Sequence, residues 1–145
     1  MATPAFESQK ILAWLHELKF HSASKTLDAD YWLDNFFTEN ASLQYANSPV
    51  ISGPSVRQMF KEVFKKLDLM THEVLYFDFI GDRIYQAAKI RYLVKGDNAD
   101  QDVIEIPGFA VFNVEHGEDE KLRCYKAEIF LDPSPVFHRI AEKGL

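Results

Sequence analysis

The second half of the chain constrains the fold most. Four apolar-rich runs, His72–Ile80, Arg83–Val94, Val103–Glu115 and Lys121–Leu131, are separated by Gly81-Asp82, by Gly96 to Asp100 and by His116 to Asp119. Glycine supplies the positive-φ geometry of a tight reversal, and Asp and Asn bond their own backbone there. Connections this short join only antiparallel neighbours, because a parallel crossover needs a dozen residues or more. The runs therefore predict a meander of long strands. Such a sheet must bury an apolar face, so the first half must supply its cover.

That cover is organised by Asp30 to Phe64. A short aromatic helix ends at Phe36-Phe37, with Thr38-Glu39-Asn40 as a polar break. Ala41–Tyr45 then reads as a strand, Asn47-Ser48-Pro49 as its turn and Val50-Ile51 as the return. Gly53-Pro54-Ser55 starts a second helix with Pro at its first position, where the missing N–H costs nothing. Val56, Met59, Phe60, Val63, Phe64 and Leu67 share one face of that helix. Upstream, Thr3 as cap and Pro4 open another helix, along which Phe6, Ile11, Trp14, Leu15 and Leu18 keep helical spacing to about Phe20. The segment from His21 to Asp30 is polar and turn-prone, with Asp28 or Asp30 as the next cap. After Asp132-Pro133-Ser134-Pro135, Val136 to Lys143 predicts a short tail helix.

Helices first and an antiparallel meander afterwards is an α+β order. The expectation is a cone-shaped curved antiparallel sheet wrapped around N-terminal helices, in one domain spanning residues 1–145. An aromatic content of 14% suits a fold that encloses an apolar cavity as well as a core. A net charge of −6 with no Lys/Arg run argues against nucleic acid and anionic membrane surfaces as partners. The start of the chain lacks the basic and apolar regions of a signal peptide, and Cys124 has no disulfide partner, so a cytoplasmic location is expected. The first long strand carries apolar residues on both faces, Val74 and Tyr76 alternating with Leu75, Phe77 and Phe79. A solvated face would be more polar. The second apolar face predicts a homodimer through the outer side of the sheet, with Phe77 and Phe79 in its patch, unless helices or the tail cover it.

Several segments carry a family resemblance: YANSPVISGPSVRQMF, THEVLYFD, the IRY at 90–92, EIPGFAVF and EIFLDPSPV. Over roughly Asp30 to Val136 the chain resembles the SnoaL-like, nuclear-transport-factor-2-like superfamily, which includes scytalone dehydratase, limonene epoxide hydrolase, ketosteroid isomerase and polyketide cyclases. It is most similar to a branch with a Gly-Asn pair in the hairpin, a His opening the next strand and a final Ile-Tyr-Val-Asp-x-x-Pro. Here those positions read Ala46-Asn47, His72 and Ile129-Phe130-Leu131-Asp132-Pro133-Ser134-Pro135, so Ala46 and Phe130 depart from the pattern. The resemblance implies a cystatin-like α+β barrel with a buried pocket for a small apolar organic ligand, without metal or organic cofactor.

It also implies which strand faces turn inward. Ile84, Gln86, Ala88, Ile90 and Tyr92 would line the pocket from one strand, Ile106, Gly108, Ala110 and Phe112 from the next, and Tyr125, Ala127 and Ile129 from the last. The charged Asp-Arg-Asp set of the epoxide hydrolases is replaced by Ala88, Ile90 and Ile129, which argues against epoxide hydrolysis. His72 is the candidate acid–base group, because imidazole titrates near neutrality. Its alternative is a histidine hydrogen-bonded at the rim. Tyr45 and Tyr92 are candidate carbonyl-polarising donors, with core packing as their alternative, and Asn47 is a ligand contact or an ordinary turn residue. Gln86, Ile90, Ile106, Phe112, Tyr125 and Ile129 complete the substrate-binding set, and Asp34 or Asp78 is a carboxylate partner for His72. The five histidines and the cysteine show no metal spacing. Two functions follow from the resemblance. One is cofactor-independent proton transfer (dehydration, isomerisation or cyclisation) on a polyketide- or terpenoid-like molecule. The alternative is a non-catalytic ligand-binding or dimerisation module.

Overall fold

The computed structural model describes residues 4–145, with side chains from residue 8 onward, so the expected Thr3 cap and the side chain of Phe6 lie outside the described residues. Helix α1 spans Pro4–Ser24, and α2 spans Ala29–Phe36. Between them Leu27 takes a left-handed conformation, with φ of 58°. Asp28 caps α2, accepting from the Tyr31 N–H at 3.1 Å, a contact worth about 1 kcal/mol. α1 continues four residues past the predicted end at Phe20. The polar run His21-Ser22-Ala23-Ser24 is its last turn, and the Ser24 hydroxyl donates back to the His21 carbonyl at 3.0 Å.

Strand β1 (Phe37–Tyr45) follows α2 directly, so Thr38-Glu39-Asn40 is strand rather than a break. The hairpin is as expected: Ser42 pairs with Ser52 and Leu43 with Ile51 of β2 (Ile51–Ser52). Gly53 then opens α3 (Pro54–Phe64) with φ of 59° and ψ of −130°. That region is accessible essentially to glycine alone. Leu67, assigned from sequence to the end of this helix, begins β3. Strands β3 (Leu67–Ile80), β4 (Arg83–Val94), β5 (Ile104–His116) and β6 (Leu122–Leu131) form the meander, and α4 spans Ser134–Glu142. All six strands make one open sheet in the order β2-β1-β6-β5-β4-β3. It is mixed rather than wholly antiparallel, because β1 runs parallel to β6. An α+β cone results. No helix among the described residues is long and apolar enough to cross a membrane.

Two irregularities decide which side chains face inward. In β3 the pairing jumps from Val74–Ala88 to Tyr76–Ala87, leaving Leu75 as an extra residue. A bulge of this kind reverses the alternation downstream of it. Phe77 and Phe79 consequently turn inward, where Phe77 packs edge-on against Trp14 of α1 at 5.3 Å between ring centroids and both rest on the core. Their expected place in an outer dimer patch is therefore corrected. Leu75 and Tyr76 are the exposed residues instead. In β6 the pairing jumps from Asn113–Lys126 to Val114–Cys124, which leaves Tyr125 unpaired.

The wide end of the cone is closed by rings. Trp32 contacts Phe37, Phe60 and Phe64 at 4.8–5.8 Å between centroids, and Phe20 joins Trp32 to Phe112. Edge-to-face pairs of this kind add to the area they bury.

Candidate functional site

Between this aromatic plug and the inner face of the sheet lies a cavity of about 420 Å³. Its lining is mostly apolar, as small-molecule sites usually are. Two polar pairs break that lining.

The first pair is His21 and His72, whose rings stack with centroids 4.4 Å apart and planes 23° from parallel. His21 comes from the last turn of α1. One turn earlier on the same face, Glu17 places Oε2 3.3 Å from His21 Nε2, and Gln86 of β4 places Oε1 2.8 Å from the same nitrogen. Both partners accept, so Nε2 carries the hydrogen and Nδ1 keeps its lone pair. The Glu17 side chain is only 1% exposed. His21 Nδ1, His72 Nδ1 and Glu17 Oε1 are all shut off from solvent without a hydrogen-bond partner. Burial, and then the neighbouring His21, hold the His72 imidazole down at a pKa of about 3. His72 is therefore neutral at physiological pH. Two stacked imidazolium rings would repel, so the pair accommodates one positive charge at most.

The second pair is Tyr45 at the end of β1 and Tyr92 on β4, both lining the cavity. Burial pushes both phenols above their ordinary value, so both stay protonated. His72 pairs with Ile90 and Met70 pairs with Tyr92, which makes His72 and Tyr92 diagonal neighbours across β3 and β4. Such neighbours have Cα atoms about 7–8 Å apart, near enough for one ring system to touch both.

Gln86, Ile90, Phe112, Ile129 and Asn47 also line the cavity, as expected. Asn47 is exposed, and it sits with Ser48 in the β1–β2 turn beside Glu62 of α3 and Phe137 of α4, which marks the mouth. Ile106 is buried in the core outside the lining. Tyr125 is corrected: the β6 irregularity takes it out of the lining, and its hydroxyl bonds the Asp82 carboxylate in the β3–β4 turn. His72 lies inside β3, not at its start. Asp34 is engaged by Arg57 at 2.5 Å and Asp78 by Lys10 at 3.0 Å, so neither serves His72. The carboxylate beside the histidine pair is Glu17, on His21. His21 was missed by ending α1 at Phe20, and Glu17, inside the predicted helix, was not singled out. The available signal was an acid and a histidine four residues apart, flanking the aromatic Phe20.

A wider, more polar cleft of about 930 Å³ lies by Arg57 and Arg123. Both guanidiniums are already paired, with Asp30 and Asp34 and with Asp119. Cys124 is buried, its thiol pushed well above the ordinary range by desolvation, and it is inert as a nucleophile. No cluster of metal-binding side chains occurs among the described residues.

No protein-family model and no curated protein matches the chain. Solved structures do. A candidate dehydratase of the NTF2-like family from Streptomyces avermitilis aligns with a TM-score of 0.68 at 13% identity, over 90% of this chain and 99% of that one. A candidate SnoaL-like polyketide cyclase from Jannaschia sp. CCS1 aligns at 0.67 and 15%, over 97% and 96%. An LEH-like epoxide hydrolase from M. tuberculosis aligns at 0.68 and 12%, over 92% of each chain. The chain has the NTF2-like, SnoaL-like fold.

Proposed function

We propose that the chain is a cofactor-independent enzyme catalysing proton transfer, as dehydration, isomerisation or cyclisation, on an apolar polyketide- or terpenoid-like molecule. The observation that carries this reading is the stacked His21–His72 pair, backed by Glu17, facing the same cavity as the Tyr45–Tyr92 pair. Solved structures of this fold include a candidate dehydratase, a candidate cyclase and an epoxide hydrolase, which is consistent with enzyme chemistry.

The roles divide by environment. An efficient general base has a pKa near the working pH. His72 at about 3 is far from that. The base assigned from sequence to His72 therefore moves to His21, whose Nε2–H is held by Glu17 and Gln86. The Glu17 carboxylate offers a countercharge when His21 takes up a proton. Neutral His72 bonds a substrate oxygen through Nε2, the ring nitrogen that is not shielded, and the two phenols polarise a carbonyl or protonate a leaving oxygen. Asn47, Gln86, Ile90, Phe112 and Ile129 shape the rest of the binding surface.

The test begins with a screen for neutral aromatic ketones and alcohols that raise the melting temperature, followed by turnover of those that bind. His21→Gln and His72→Gln should each lower turnover about 10²–10⁴-fold with the melting temperature kept. Ligands that bind without turnover would favour the binding-module reading.

For the assembly we propose a homodimer through the outer sheet face, in the cytoplasm. Its support is a row in register across three strand pairings: Tyr76 beside Ala87, Ala87 beside Phe109, and Phe109 beside Phe130. Tyr76 and Phe130 are 66% and 52% exposed. Sedimentation should show a dimer at micromolar concentration and a monomer for Phe130→Asp; a wild-type monomer contradicts the proposal.

A further inference from the structure

We infer that the cavity selects an uncharged ligand carrying oxygen on one edge of a flat apolar skeleton, and rejects carboxylates, phosphates and thioester carriers that would bring an anion inside. This deepens the proposed function and rests on the same cavity. Among the described residues no lysine or arginine lines the cavity. The acid at its mouth, Glu62, is paired with Lys65 at 3.6 Å, so the entrance carries no unpaired cation at Glu62 to attract an anion. Its deeper acid, Glu17, sits behind His21 and offers no positive charge either. His72 is neutral, and both tyrosines stay protonated. An anion drawn inside would lose its water and find no countercharge, which is the costliest way to bury a group.

The same groups call for neutral oxygen. His72 lines the cavity, and its Nδ1 is shielded whereas its Nε2 is not and has no protein partner, so a ligand hydroxyl or carbonyl meets Nε2. Tyr45 and Tyr92 both line the cavity with protonated hydroxyls, which can donate to a carbonyl or ether oxygen. Because His72 and Tyr92 are diagonal neighbours on adjacent strands, both oxygens fall along one edge of the ligand. The opposite edge meets Phe112, Ile129 and Ala110, which offer nothing polar.

Calorimetric titration with 2-naphthol, naphthalene and 2-naphthoate tests this on one skeleton. The naphthol should bind tightest, naphthalene about fivefold more weakly, in line with one lost hydrogen bond of about 1 kcal/mol, and naphthoate at least about 100-fold more weakly. Tyr92→Phe and His72→Phe, each checked for an unchanged melting temperature, should bring naphthol down towards naphthalene. Tyr45→Phe gives the same reading if one of these fails to fold. Naphthoate binding as tightly as naphthol, or no binding of naphthol at all, overturns the inference. The predicted order without proton transfer to any ketone would contradict the catalytic reading and leave this one standing. Tight naphthoate binding with turnover of a ketone would do the reverse.

Discussion

Two buried carboxylates in this protein live under opposite conditions. Asp97, in the β4–β5 connection with its side chain 3% exposed, takes two bonds from the Arg139 guanidinium at 2.7 and 2.8 Å and one from Lys143 at 2.7 Å. Those cations hold its carboxyl far below the ordinary range. The contact staples α4 to the end of the sheet. Glu17, at 1%, has one imidazole at 3.3 Å and an oxygen with nothing. Asp97 is satisfied by groups it was folded against, whereas Glu17 is left with bonding capacity beside a cavity. Poorly satisfied buried polar groups are costly and persist where they serve a site. The contrast separates what holds the fold from what the fold holds.

Acidification gives the largest effect. His16, wedged near Phe20 and Phe36, is held at a pKa of about 4 by burial, and His72 at about 3. Both folded values lie below the unfolded 6.5, so the unfolded chain binds more protons below that pH. Stability is then full above pH 6.5 and falls as the pH drops through the window down to the folded values. The slope approaches about 1.4 kcal/mol per pH unit for each histidine. The decline from paired carboxylates sets in only below about pH 5, so the upper part of the window, from pH 6.5 to about 5, isolates the histidines. Chemical denaturation across it should show the decline for the wild type and a shallower one for His16→Phe.

Substitution of the two carboxylates sharpens the comparison next. Glu17→Gln should lower turnover roughly 10–100-fold, as expected for losing a group that orients and balances a base, while stability changes by less than about 1 kcal/mol or rises. Asp97→Asn should do the opposite. It should lower the denaturant midpoint, by less than a fully buried pair would because Arg139 and Lys143 still reach solvent, with turnover unchanged. Equal effects of both substitutions on both readouts would erase the distinction.

A smaller effect belongs to the hairpin. Ala46 stands where the resembling branch has glycine, and its φ is +54°. Ala46→Gly should therefore stabilise by up to about 1 kcal/mol, relief of left-handed strain outweighing the added freedom of the unfolded chain. A loss of stability would show that the alanine methyl is packed, not strained.

Much of this was readable from the residues. The β4 span matched its prediction from Arg83 to Val94, and the other strands began within a few residues of theirs, because glycine-rich turns punctuate the chain. Strict alternation put Gln86, Ile90 and Tyr92 of β4 on one face, and the family resemblance chose that face as the inward one. Alternation fails where a residue is inserted: Leu75 turned Phe77 and Phe79 inward, and the irregularity at Tyr125 took that ring out of the site. Bulges leave no composition signal. The helix end was misread for a different reason. His21-Ser22-Ala23-Ser24 has modest helix propensity, and tertiary packing of Ala23 and Ser24 overrides it. His21 was lost with that turn, and Glu17, though inside the predicted helix, was passed over because its role depends on His21 four residues on.

The central claim is that the cavity holds an imidazole without a protein partner, kept neutral for a ligand. Titration of the histidine ring nitrogens by NMR, with His72→Gln as the assignment control, measures this directly. The predicted result is a His72 ring that stays neutral as the pH falls through 5 to about 4, shifting only as it nears about 3 or the fold is lost. A His72 ring that titrates near its ordinary 6.5 in the folded protein would mean a solvated or paired imidazole, and would contradict the account.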